Sequence, residues 1–495
     1  DLSPLSLPDA RPIFVDGTGT VPITADVLID GDRIRAVVAP GGPAVDAAAD
    51  RVVDVSGRLV TPGFIDLHAH DDLAVGVRPD MSFKVSQGIT TVVVGNCGNS
   101  ASPLAPTDAG AAERLQVAMG PAPDPISWTS MAGYLDWVES CAPAVNVAAL
   151  VGHGGVRLAA GVEWGRASAA ERTAMCRIVA DAVAEGAVGM SSGLIYHPGR
   201  EADEQEVAQL ARAAVQAGGL YSSHIRDEGD AVQDAVAEAL RIGDAAGRPA
   251  HISHLKAMGP ANWGLVPGLI DSIARAGASF DVYPYRAAST YLTDAVEVLG
   301  GAHVAPPADL VIAAAPGRED LVGRDFSELT AEWSCDLAEA VHRVDAETSG
   351  RCVVVYFGMD EPDVIAAVTS PHGAYGTDGL PILTGRPHPR LFGTFTRVLR
   401  HYVLDTGALS VQAAVHKASG LPAALFGLPD RGVIRAGAVA DILVIDPATI
   451  ADRATYADPM QYSAGLDAVF VSGEPTWTAA GPTGIRAGRV LRHGR

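Results

Sequence analysis

Between residues 61 and 425, short and nearly continuous apolar runs alternate with Ala-rich amphipathic stretches, and this rhythm restricts the fold more than any other feature. The runs lie at 64–67, 91–95, 145–151, 187–191, 219–223, 249–253, 278–282 and 352–357, with 374–377 as a further candidate. Helical patterns separate them at 169–184, 204–217, 230–246 and 265–276. A strand that is apolar on both sides must be covered on both faces, and strands separated by helices pair in parallel. About eight such units predict an α/β fold: a (β/α)8 TIM-like barrel, for which about 250 residues is usual. The excess length is assigned to loops and a lid insertion near 290–345, where Pro306-Pro307 and scattered charges break the rhythm. An open, doubly wound sheet competes, but no Gly-x-Gly-x-x-Gly or Gly-Lys-Ser/Thr loop follows a strand to support a nucleotide site.

The two chain ends have a different grain. Residues 25–37 are two strand-like runs around Asp30-Gly31, a hairpin signal, and 51–55 reads as another β run. Residues 432–434 and 440–446 look alike at the far end. Neither end carries enough apolar surface for its own core. Residues 1–60 and 425–495 are therefore expected to pair into one small β-sandwich domain, with a catalytic barrel of residues 61–424 inserted between them.

Hydrophobic residues make up 48% of the 495 and charged residues 19%, which suits a large buried core. A formal charge of -22, from 36 basic and 58 acidic residues, argues against nucleic acid or anionic membrane as a partner. Five scattered cysteines without a Cys-x-x-Cys predict no disulfide framework and a reducing, cytoplasmic setting. No apolar run approaches the ~18 residues of a membrane span, and no signal peptide is expected from the start at Asp1.

Polar residues gather where the apolar runs end, which in a barrel is the catalytic face. His68-Ala69-His70 follows the first run; alternate residues of a strand face the same way, so both imidazoles project together, and a divalent metal is the usual reason. A bare His-x-His is more often a polar loop. Here, however, Gly95-Asn96-Cys97-Gly98 follows the second run, His224-Ile225-Arg226-Asp227-Glu228 the fifth, His251-Ile252-Ser253-His254-Leu255-Lys256 the sixth, and Gly376-Thr377-Asp378-Gly379 the last. Their joint occurrence points to a metal centre.

These segments, with Pro62-Gly63-Phe64-Ile65-Asp66-Leu67-His68-Ala69-His70-Asp71-Asp72, Tyr283-Pro284-Tyr285 and Arg386-Pro387-His388-Pro389-Arg390, resemble the amidohydrolase superfamily and, within it, the D-aminoacylases (N-acyl-D-amino-acid deacylases). The resemblance implies a zinc-dependent hydrolase of N-acyl-D-amino acids, a small-molecule substrate. Many amidohydrolases bridge two metals with a fourth-strand lysine, but 186–191 has none; the resemblance places Cys97 in that role, with Lys256 as an unpromising rival. By the same resemblance Cys97, His224 and His254 hold a tight zinc, and His68, His70, Cys97 and Asp378 a weaker second site. Asp378 is implied as general base and acid, and Arg390, or its competitor Arg386, as the fork for the substrate α-carboxylate. Tyr283 or Tyr285 and Ser289 would assist, and Tyr196 would face the acyl oxygen. His153 is expected either to touch substrate or to order its loop; Arg226, Asp227 and Glu228 are expected to orient ligands. His197, His372, His388, His401 and His416 are read as structural. Two competing functions are a cyclic amidohydrolase of the hydantoinase or dihydroorotase kind and a silent scaffold barrel. The cysteine ligand disfavours the first, the complete ligand set the second.

Overall fold

In the computed structural model, which describes residues 12–40, 49–105, 123, 125–298 and 306–494, eight parallel strands form the central sheet. They are β1 (Phe64–Asp66), β2 (Ile89–Val94), β3 (Asn146–Gly152), β4 (Gly189–Gly193), β5 (Leu220–His224), β6 (His251–Ile252), β7 (Ser279–Val282) and β8 (Gly373–Tyr375). Neighbours in sequence are neighbours in the sheet from β1 to β8. A parallel bridge between Ala69 and Gly379 closes the ring, and the amide of Asp378 donates to the carbonyl of His68 at 2.8 Å across the seam.

Local chemistry explains the elements. Every residue of β2 and β3 is buried, which is what a run apolar on both faces requires. The helix Ala169–Ala184 begins in a Ser168/Glu171 capping box, and the helix Val232–Ala246 stops at Gly247, whose φ of 89° is open to glycine. No helix among the described residues is long and apolar enough to cross a membrane.

The run at 352–357 corrects the sequence reading. Val353–Phe357 is not a barrel strand; it pairs antiparallel with both Ala287–Tyr291 and Leu310–Ala314 in a three-stranded sheet inserted between β7 and β8. The last barrel strand comes instead from the candidate at 374–377. The confusion has a physical cause. As the middle strand of the insertion, Val353–Phe357 is also covered on both faces, with Val354 in the main core and Val353 and Val355 in a separate cluster with Ala287 and Ala313. The interruption expected near 290–345 falls inside this insertion, although 299–305 lie outside the described residues.

Strands from both chain ends share one six-stranded sheet, in the order Ile13–Phe14, Leu59–Pro62, Ile442–Ile445, Leu466–Val471, Glu474–Thr478 and Gly481–Pro482. The hairpin Asp26–Asp30/Arg33–Val38 covers it, with Ile34 packed among Phe14, Val60, Ile442 and Phe470. Residues 51–55 form no strand, and Val52 is 83% exposed. Its valines suggested one, but the segment finds no sheet partner; the pairing strand is Leu59–Pro62, which leads through Gly63 into β1. Residues 432–434 likewise form no strand.

The seam between β1 and β8 tolerates nothing larger than glycine at residue 376, where a Cβ would lie 2.4 Å from that of His68. Gly376→Ala is expected to cost about 1–3 kcal/mol, the scale of overpacking a filled interior. A thermal melt reads it as a lowered Tm, and an unchanged Tm would show that the seam can relax.

Candidate metal centre and active site

The six donor side chains reach the barrel mouth from the ends of five strands. His68 and His70 follow β1, Cys97 follows β2, His224 ends β5, His254 follows β6 and Asp378 follows β8. Three of them leave their strands with left-handed backbones, at φ of 54° for Cys97, 35° for His254 and 47° for Asp378. Such conformations cost about 1–3 kcal/mol each in non-glycine residues and persist only where the surroundings enforce them. Here they turn side chains from the strand direction toward a common centre.

The donors form two sets that share one sulfur. His68, His70, Cys97 and Asp378 make one and Cys97, His224 and His254 the other, with the donor atoms of each set within 4.8 Å of one another and every residue buried. Cys97 Sγ lies 3.2 Å from His68 Nε2 and 3.4 Å from His254 Nε2, which is 2.9 Å from His224 Nδ1. His70 Nε2 is 3.1 Å from Asp378 Oδ1. Burial pushes the Cys97 thiol up, but His68, His254 and His224 outweigh it and hold the group well below the usual thiol range. One thiolate with two imidazoles suits Zn(II), and three protein donors leave a position open.

Outer carboxylates fix the rings. Asp281 on β7 meets His68 Nδ1 at 3.1 Å and His251 Nε2 at 3.0 Å, and its other oxygen accepts from the His254 amide at 2.9 Å. That leaves His68 Nε2 directed at the centre, the usual arrangement behind a metal-binding imidazole. Glu228 lies 3.1 Å from His254 Nδ1 and 3.5 Å from His224 Nε2, and Lys256 Nζ binds it at 2.6 Å. Burial raises the pKa of both carboxyls, but the cations around them win and hold each below the ordinary carboxylate range: His68 and His251 for Asp281, Lys256 first for Glu228. Lys256 is therefore an ion-pair partner of the outer shell.

Sequence reading missed a second buried network. Lys84 Nζ, wholly inaccessible, lies 2.7 Å from Asp66, 2.9 Å from Asp71 and 2.8 Å from Thr377 Oγ1. Asp66 in turn accepts from the Thr377 amide at 2.8 Å and the His68 amide at 3.3 Å. The network ties the segment carrying His68 to the one carrying Asp378. Its sequence signal was a lysine in a chain with only three, and an aspartate inside an apolar run.

The choice between the two arginines is geometric. Arg390 is 1% exposed, with Nη1 2.8 Å from Asp378 Oδ2, Nη2 donating to the Ser289 carbonyl at 3.2 Å, and its guanidinium 4.6 Å from the centre of the Tyr283 ring. Arg386 is exposed and lies beside Gly323 of the insertion. Burial pushes the Asp378 carboxyl up, but Arg390, His254 and His68 hold it well below its usual range. A cavity of about 610 Å³ is lined by Tyr196, Tyr283 and Ser289 together with His70, Cys97, His224, His254 and Asp378. Tyr285 instead packs on His388 and Tyr456. His153 pairs with Glu206 at 3.0 Å beside the buried Arg157, off the cavity wall. Arg226 is engaged by Glu238, and Asp227 caps Gly229 and Ala231. His388 donates to the Ala287 carbonyl and accepts from the Arg390 amide, each at 3.0 Å, so its structural job is to seat Arg390.

The chain matches the sequence profile of the amidohydrolase family over residues 51–304 and 370–477. It is 42% identical over 488 residues to an N-acyl-D-glutamate deacylase of Alcaligenes xylosoxydans xylosoxydans, covering 97% of this chain and 94% of that one. It is 41% identical over 496 residues to a D-aminoacylase of the same organism, covering 99% and 98%. A crystal structure of N-acyl-D-glutamate deacylase from Bordetella bronchiseptica, complexed with zinc and a phosphonate mimic of the tetrahedral intermediate, is similar at a TM-score of 0.88 and 38% identity over 98% of both chains.

Removing the buried cation tests the network under the seam. Lys84→Met leaves Asp66 and Asp71 facing each other without a counter-charge, at an expected cost of about 3–5 kcal/mol. A denaturant titration should show a lower midpoint, and a wild-type midpoint would deny Lys84 its bracing role.

Proposed function

Because this chain belongs to the amidohydrolase family, we propose that it hydrolyses the amide bond of N-acyl-D-amino acids to a free D-amino acid and a carboxylic acid. The observation that carries this reading is that Asp378, a member of the shared-thiolate donor sets on the cavity wall, is backed by Arg390 at 2.8 Å. Cys97 Sγ, His224 Nδ1 and His254 Nε2 would hold the tight zinc; His68, His70, Cys97 and Asp378 would form the weaker second set. Zinc bound there supplies a Lewis acid that acidifies water and polarises an acyl carbonyl.

The chain's own groups do the rest. Arg390 presents a planar fork suited to the substrate's α-carboxylate, a geometry that lysine cannot reproduce. Tyr283, whose hydroxyl is buried without a hydrogen-bond partner, and Ser289 stand beside that fork. As the substrate carboxylate takes up Arg390, the cation's hold on Asp378 weakens, which makes Asp378 more basic. Asp378 then takes a proton from the attacking water and returns it to the leaving amine nitrogen. Tyr196, packed edge-on to His224 with ring centres 4.7 Å apart, faces the cavity where the acyl oxygen gathers charge. A hydantoin carries no free α-carboxylate for Arg390, which disfavours the hydantoinase reading. A silent scaffold has no use for three strained donor backbones.

Paired D and L N-acetyl amino acids and a hydantoin, assayed with measured zinc content, test this reading. Turnover is expected for the D compounds alone; hydantoin turnover or preference for L compounds would contradict it. Asp378→Asn should keep zinc in the Cys97–His224–His254 set while kcat falls on the order of 10²–10⁴-fold, the scale of general acid–base catalysis. Near-normal turnover would remove its role.

A further inference from the structure

The cavity wall carries information about the substrate's side chain that the relatives' names do not. We propose, resting on the deacylase reading above, that the D-amino acid released carries a neutral, apolar side chain rather than a second carboxylate.

A dicarboxylic substrate brings two anions into the cavity. The first is met by Arg390; the second needs another cation or pays the full penalty of leaving water. Arg390 stands behind Asp378 rather than on the cavity wall, and among the described residues that line the cavity the only lysine or arginine is Lys256. Lys256 is 5% exposed and already paired with Glu228 at 2.6 Å, a carboxylate packed behind His224 and His254. Drawing Lys256 toward a substrate anion would strand that buried carboxylate next to the ligand rings.

The rest of the wall points the same way. Leu104, Leu158, Ala159 and Leu380 give it an apolar face, while Glu163 and Asp294 are its other acidic residues outside the metal and outer-shell groups. A side-chain carboxylate there meets neutral hydrogen-bonding groups such as Asn99, Ser100 and Thr290, and the imidazole of His197, but no lysine or arginine free to pair with it among the described lining residues. A leucine-, methionine- or phenylalanine-like side chain buries apolar surface instead, at about 25 cal/mol per Å². Neither the acyl arm nor the side-chain arm of the substrate finds a spare lysine or arginine among the described lining residues.

The test compares kcat/KM for N-acetyl-D-leucine, -D-methionine, -D-glutamate, -D-aspartate and -D-lysine on the zinc-loaded protein. Leucine and methionine derivatives should lead the two acidic ones by roughly 100-fold or more, the scale at which an unmatched polar group is rejected. Glutamate or aspartate ranking first overturns this inference and leaves the deacylase reading intact, and lysine ranking first overturns it equally. Failure to cleave any of the five overturns both. Placing a cation on the apolar face supplies an independent readout: Leu158→Arg or Leu104→Arg should raise the glutamate-to-leucine ratio at least about tenfold. A ratio unmoved in both variants means the apolar face does not decide side-chain charge.

Discussion

Burying a thiolate among imidazoles is costly unless each lone pair is directed at a shared positive charge, and Cys97 is placed under that constraint. Its sulfur belongs to both donor sets, so the rings of His68 and His254 must approach it together, and the strands beneath must deliver them together. The apolar face of every barrel strand stabilises the fold, but the strand ends are arranged around this sulfur. The left-handed backbones of Cys97, His254 and Asp378 are the local cost of that convergence.

What enforces the strain is a second layer of charge. Asp281 touches three groups from two segments: the His68 ring after β1, and the His251 ring and His254 amide of the β6 segment. Glu228 with Lys256 braces His254 from the other side, and Lys84 with Asp66 and Asp71 braces the β1–β8 seam. Each buried anion has a cation or ring beside it. Because the contacts cross between strands, a shift of one strand end would break several at once. The inserted sheet adds the last wall. It carries Ser289 and, through the contact from His388 to Ala287, fixes the backbone of Arg390.

Much of this was legible in the residues. Seven of the eight barrel strands could be located because burial on both faces leaves an unbroken apolar run, and the ligands lay at the run ends as barrel geometry requires. The eighth strand was obscured because Val353–Phe357 has the same apolar signature for a different reason, as the covered middle strand of the insertion. Val52 and Val53 show the opposite error, a valine-rich run with no partner strand. Spacing could not separate Arg390 from Arg386, since their placement depends on how the segment folds back over the insertion. Lys84 and Asp281 were passed over because a single charged residue in an apolar stretch shows its purpose only when its partners, far away in sequence, are brought to it.

A Cys97 thiolate ligand in the working centre can be read directly by zinc-edge X-ray absorption of the zinc-loaded protein. That ligand predicts a sulfur scatterer at about 2.3 Å together with nitrogen or oxygen at about 2.0–2.1 Å. A first shell of nitrogen and oxygen alone, in fully active protein, would contradict it.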